Sequence, residues 1–246
     1  MKPAKFAQTY HHICKGIFSL WVFFIFLLPV FTDLYAQNEN MIFERFNTSH
    51  GLSNNSVRNI FQDSKGYLWI GTGDGLNKYD GYNFTTYRHD DEDSSSISDN
   101  EIWAIFEDKN NDIWIGTKNG LNRYNRDREN FTIFNLTAET EDYINAFICI
   151  FEDDSGFFWM GVGFQKGLSK FDPRTKTFTH FAIDSIGMGN SNILFDIIED
   201  KSKKGLWLGC FGSGLAYFDF ESEKITKYKN DPDNPLSLSK IGRAHV

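Results

Sequence analysis

Trp69-Ile70-Gly71, Trp114-Ile115-Gly116, Trp159-Met160-Gly161 and Trp207-Leu208-Gly209 decide the fold of this chain. The tryptophans lie 45, 45 and 48 residues apart. A rare residue does not recur so evenly by chance. A period of roughly 40–50 residues marks stacked units, none of which can bury its apolar face alone.

Working outward from Trp, the frame repeats too. Each unit opens with an apolar stretch closed by acids: Ile60-Phe61-Gln62-Asp63, Ile105-Phe106-Glu107-Asp108, Ile150-Phe151-Glu152-Asp153 and Ile197-Ile198-Glu199-Asp200. Three residues before Trp stand Gly66, Asn111 and Gly156, residue types that tolerate positive φ, so one backbone kink is expected in each of these loops. The fourth loop is longer and its Gly205 is displaced by one position, which predicts a different turn. After Trp come Asp74-Gly75, Asn119-Gly120, Lys166-Gly167 and Ser213-Gly214, signals of tight hairpins. Third strands end at Tyr79-Asp80, Tyr124-Asn125, Phe171-Asp172 and Phe218-Asp219. Fourth strands carry Phe84 and Tyr87, Phe131 and Phe134, Phe178 and Phe181, Ile225 and Tyr228. The pattern predicts an all-β protein, a β-propeller of four-stranded antiparallel blades with four blades present and an incomplete ring.

The organisation that follows has four parts. Residues 1–36 read as a signal peptide: Lys2, Lys5 and Lys15 precede the apolar run Ile17–Phe31, Pro29 interrupts it, and Ala36 offers a cleavage site. Residues 37–55 form a lead-in in which Ile42–Phe46 resembles an outer strand, expected to complete a distant last blade. Residues 56–240 hold blades 1–4 and, at Leu238-Ser239, the start of a fifth. Ile241–Val246 coincides with one reading frame of a common short-read sequencing adapter and is expected to be artefact, leaving the chain as the front of a longer protein.

Net charge is −8, and no cluster of Lys and Arg interrupts the acidic surface. Nucleic acid is therefore not an expected partner of this region, and the membrane is expected to be met only through a downstream helix. Cys149 and Cys210 remain after cleavage of the leader; they either pair or stay as two buried thiols.

These units resemble the two-component regulator propeller repeat. The resemblance rests on the apolar strand, Glu-Asp, a short loop, Trp-Ile-Gly-Thr, Gly-Leu and Tyr-Asp, and it runs from about Asn55 to Lys229. Val162 and Cys210 depart at the Thr position, and Gln62 replaces the first acid. The resemblance implies a periplasmic sensor region of a hybrid histidine kinase. Its ligand would be an oligosaccharide from polysaccharide breakdown, its parent a membrane-anchored homodimer. Kinase chemistry would lie in a core outside this chain, so no catalytic residue, cofactor or metal is expected here. A soluble exported propeller enzyme of lyase type, or a binding or scaffold propeller, is the alternative.

Residue by residue, the carboxylate pairs fit loop fixation better than metal binding, because no loop carries a full calcium pattern. The Trp of each blade fits packing between blades. His50, His89 and His180 occupy unrelated repeat positions, and Asp90–Asp93 with Ser94–Ser96 reads as a solvated connector. One column varies in character between blades: Arg58, Trp103, Ile148 and Phe195. Burial is the expectation for this column; if it instead faces the channel or an end of the ring, Arg58 and Trp103 are the ligand-binding candidates from it.

Overall fold

The computed structural model describes residues 43–136, 145–163, 167–182, 193–202, 204–211 and 214–238. The leader 1–36 with Cys14 and Trp21, Ile42, Lys166, Ser213 and the stretch 239–246 lie outside the described residues. The chain divides into two units, 1–45 and 46–246. In the first, Phe43–Arg45 has no regular structure. Among its described residues the second holds sixteen strands in four antiparallel sheets, each in sequential order.

Blade 1 comprises β1 (Val57–Gln62), β2 (Leu68–Thr72), β3 (Gly75–Tyr79) and β4 (Phe84–Tyr87). Blade 2 comprises β5 (Ile102–Glu107), β6 (Ile113–Thr117), β7 (Gly120–Asn125) and β8 (Asn130–Phe134). Blade 3 is β9 (Phe147–Glu152), β10 (Phe158–Val162), β11 (Gly167–Asp172) and β12 (Thr177–Ala182). Blade 4 is β13 (Leu194–Asp200), β14 (Gly205–Cys210), β15 (Gly214–Asp219) and β16 (Ile225–Tyr228). The first strands β1, β5, β9 and β13 stand beside one another in succession, forming the inner wall. Phe46 and Asn47, which continue the lead-in, carry no strand; a short 3₁₀ turn follows at Thr48–His50.

The apolar cores lie between blades. Trp69 and Leu76 of blade 1 bury themselves against Ile102, Ile105 and Ile113 of blade 2. Trp114 and Leu121 pack against Phe147, Phe158 and Phe171 of blade 3. Trp159 and Leu168 pack against Leu194, Leu206 and Phe218 of blade 4. Trp69, Trp114 and Trp159 therefore each fill the seam with the following blade, as the repeat predicted, and burial of large aromatics drives the stacking.

That packing explains the glycine two residues after each Trp. A Cβ at Gly71 would lie 2.6 Å from Ile102 Cγ2, and one at Gly161 would lie 2.6 Å from Leu194 Cβ. At Gly116 it would strike the Phe147 carbonyl oxygen. The inner strand of the next blade docks there, and only a residue without a side chain admits it. At Gly209 a Cβ would meet nothing nearer than Asp196 of its own blade, at 3.5 Å.

The loops behave as the sequence indicated in three blades. Gly66, Asn111 and Gly156 all take positive φ, at 90°, 64° and 80°. In blade 4 the loop is longer, yet the left-handed residue is still three before Trp, on Lys204 at φ 55°. Gly205 serves packing instead: a Cβ there would strike the Phe218 carbonyl and the Tyr217 ring.

The second acid of each pair fixes its loop. Asp63, Asp108, Asp153 and Asp200 accept the indole N–H of their own Trp at 3.0, 2.9, 2.8 and 3.1 Å. Their other oxygen accepts loop amides, as from Asn110 and Asp112 onto Asp108, both at 2.9 Å. The first acid instead joins neighbouring blades. Glu107 accepts the Ser64 amide at 2.8 Å, and Glu152 accepts the Lys109 amide at 2.9 Å. Arg126 adds a bridge to Asp63 at 2.9 Å and to Glu107 at 3.1 Å. Burial works to raise the Asp63 pKa, but hydrogen bonds from Trp69 and Arg126 win and hold it below the usual carboxylate value.

Candidate functional site

The sequence column Arg58, Trp103, Ile148 and Phe195 is a structural feature. In every blade the pairing of the first two strands slips at that residue: between Val57 and Asn59, Ile102 and Ala104, Phe147 and Cys149, and Leu194 and Asp196. Each member is the extra residue of a β-bulge, a device that re-aims one side chain out of the sheet's alternation. Ile148 is buried, Trp103 and Phe195 are half-buried and Arg58 is exposed. A buried fate for the whole column is thus corrected for Arg58. The bulge frees its side chain from the sheet face, and no preceding blade covers it among the described residues.

The bulges lie at the start of the inner strands, beside the second hairpin of each blade. Arg58 Nη1 is 3.1 Å from Glu101 Oε2, and Lys118 Nζ from the β6–β7 turn reaches Glu101 Oε1 at 3.2 Å. The Arg58 guanidinium carbon stands 4.2 Å over the Trp103 ring centroid. In blade 4 the Phe195 ring meets Phe211, from the β14–β15 turn, at 5.8 Å in an edge-to-face contact. The two sequence candidates are therefore in contact, and the structure adds Glu101, Lys118 and Phe211. Periodicity could not find these three, because they lie in connectors and turns where the repeat is degenerate. Arg58 first, with Lys118 beside it, holds the Glu101 carboxyl below its ordinary value against the opposing effect of burial.

Behind this rim, a hydroxyl-amide cluster ties the lead-ins of blades 1 and 2 to their blades. Ser53 Oγ meets Thr72 Oγ1 at 2.9 Å, and the Asn77 amide donates to Ser53 Oγ at 2.8 Å. Ser98, Thr117 and Asn122 repeat it in blade 2, at 2.8 Å for both bonds. Val162 removes the hydroxyl in blade 3, where Ser169 Oγ meets His180 Nδ1 at 2.9 Å instead. The departures from Thr thus alter a structural staple.

Other candidates resolve into structure. The acids of the connector fold back on it: Asp93 accepts from the Ser95 amide and hydroxyl at 2.9 and 2.7 Å. His50 bonds Asn47 in a turn and His89 bonds Ile97 O at 2.7 Å, so the three histidines do not converge. Cys149 and Cys210 are separate free thiols, and burial pushes both up to about 12. Among the described residues no group of three or more His, Cys, Asp or Glu is placed to hold a metal ion. No helix there is long and apolar enough to cross a membrane.

A profile described as two-component regulator propeller matches residues 51–74 and 96–119. Histidine kinase P4 of Formosa agariphila is 49% identical over 81 residues, which is 33% of this chain and 6% of the kinase. The extracellular domain of a hybrid two-component system from B. thetaiotaomicron is 28% identical with a TM-score of 0.66, covering 75% of this chain and 26% of that domain. Virginiamycin B lyase from Staphylococcus aureus shares the fold alone, at 17% identity and TM-score 0.54 over 73% of this chain and 56% of the lyase. This chain thus spans a small part of the kinase and about a quarter of that extracellular domain. Two stretches of it match the two-component regulator propeller repeat, and its fold is similar to that of the extracellular domain of a hybrid two-component system.

Proposed function

We propose that this chain is the periplasmic ligand-sensing part of a hybrid histidine kinase and that its ligand is an oligosaccharide released from a polysaccharide. The observation that supports a ligand site is the bulge column at the start of the inner strands. It turns Arg58 and Trp103 toward one rim and places the Phe195–Phe211 pair at the same end of blade 4. Aromatic faces with a few fixed polar groups suit sugar rings, which offer apolar C–H faces edged by hydroxyls. Ligand binding would bias the geometry of a parent dimer anchored by a downstream helix, and the coupling would equal the differential affinity for its states.

Thermal unfolding of the full chain with a panel of oligosaccharides tests the reading. A ligand at 100 times Kd stabilises by about 2.7 kcal/mol, a readily measured rise in Tm. Trp103→Ala should abolish the rise given by the binding sugar. A panel that leaves Tm unchanged, or a rise indifferent to both Trp103→Ala and Phe195→Ala, overturns it.

A further inference from the structure

We infer that the rim between blades 1 and 2 selects a carboxylate-bearing sugar, a uronate, by means of Arg58 and Lys118. The inference rests on the sugar-sensing reading above and narrows it. Two cations there share one carboxylate: Arg58 and Lys118 both pair with Glu101, at 3.1 and 3.2 Å. The group therefore keeps a net positive charge on a protein whose net charge is −8. The neighbouring acids are engaged elsewhere. Asp74 pairs with Arg88 at 3.2 Å, and Asp99 accepts the Glu101 amide at 2.8 Å.

The geometry favours a planar anion over a neutral ring. Glu101 engages only Nη1 of Arg58. Among the described residues no hydrogen bond engages the Nη2 edge, which lies beside Gly73, and carboxylates match the guanidinium fork. Stacking on Trp103 at 4.2 Å holds the guanidinium plane before a ligand arrives. The same stacking covers one indole face, so a neutral sugar must displace a cation to use it. All three charged side chains remain reachable, with exposures of 30% for Arg58, 32% for Glu101 and 54% for Lys118.

Calorimetric titration of the full chain with a uronic acid tetrasaccharide, and with a neutral tetrasaccharide of the same linkage, tests this. The uronate should bind at least about tenfold tighter, the worth of one charge-assisted hydrogen bond. Arg58→Gln should lose about that factor for the uronate without weakening the neutral sugar, to which it opens the Trp103 face. Lys118→Gln should weaken the uronate in the same direction, while Glu101→Gln, which removes the competing carboxylate, should tighten it. Arg58 is exposed, so the Tm of Arg58→Gln should match wild type and separate binding loss from misfolding. Neutral sugar binding as tightly as uronate, with Trp103 dependence, overturns the inference and leaves the sugar-sensing reading standing. Binding of neither sugar overturns the uronate inference, and if the wider panel above is also silent, the sensing reading falls with it.

Discussion

Replacing Asp108 by alanine removes three accepted hydrogen bonds at once: from the Trp114 indole at 2.9 Å, and from the Asn110 and Asp112 amides, each at 2.9 Å. Asp108 is 6% exposed and its bond to the Trp114 indole is buried, while the two amide bonds are part-buried. A buried donor left without a partner costs about 1–3 kcal/mol and a part-buried one less, which puts Asp108→Ala at roughly 2–5 kcal/mol. Asp108→Asn keeps one oxygen for the loop amides but turns an NH₂ toward the indole N–H, and should cost about 1–3 kcal/mol. Trp114→Phe removes the indole donor and part of the seam with blade 3. Combined with Asp108→Asn it should cost less than the two changes separately, by about 0.5–3 kcal/mol of coupling. Urea denaturation followed by Trp fluorescence and by circular dichroism measures all four corners of this cycle. Additive costs, or an Asp108→Ala penalty below about 0.5 kcal/mol, would show that the repeated acid does not fix the loop.

Gly116→Ala drives a methyl into the Phe147 carbonyl and should destabilise by about 1–3 kcal/mol in the same denaturation assay; an unchanged midpoint would refute the docking role of that glycine. Asp63 is held below its ordinary value, so its contribution is present above the unfolded carboxylate range and is lost as pH falls through the folded pKa. Arg126→Met should therefore shift the acid unfolding midpoint to higher pH, and an unmoved midpoint would sink the bridge as its cause. Cys149, half-buried and with its thiol pushed up to about 12 by desolvation, should react slowly with a thiol reagent at pH 8 until the protein unfolds; rapid native labelling would contradict that shift.

The strands were legible because three signals coincide at one period: the Trp, the acid before it and the glycine after it. The register places Trp114 opposite Phe106 and Arg123, and the other blades repeat that arrangement. Position alone could not give the reason for the glycine, since its partner Phe147 lies in another blade. Nor could it give the division of labour within the acid pair, where Glu107 reaches backward to Ser64 while Asp108 turns inward to Trp114. Both facts concern contacts between repeats, whereas a repeat pattern describes positions within one. The bulge was half-legible. Arg58, Trp103, Ile148 and Phe195 stood out by their variety, but a slip in pairing leaves no residue signature when several residue types tolerate it. Glu101 and Lys118 were invisible for a further reason: each becomes meaningful only through Arg58, one blade away.

The same division into positions and contacts governs where stability resides. An inner blade gives one face to its predecessor and one to its successor, so its energy is mostly interfacial. The repeated isoleucine of the first strand shows this directly: Ile105 and Ile197 are 7% and 5% exposed, while Ile60, with no blade against it among the described residues, is 64% exposed. On the opposite side Ile198 is 59% exposed, and among the described residues no inner strand docks on Gly209. Trp207 rests against Tyr217 and Tyr228 of its own blade at 4.9 and 5.5 Å. Blades 2 and 3 therefore each carry two buried faces, and blades 1 and 4 one apiece. Amide exchange should be slowest on β6 and β10, whose residues are all buried, and faster on the equivalent strands β2 and β14. Equal protection across the four would mean that a blade's stability comes from its own hydrogen-bonded sheet, and that the Trp seam contributes little.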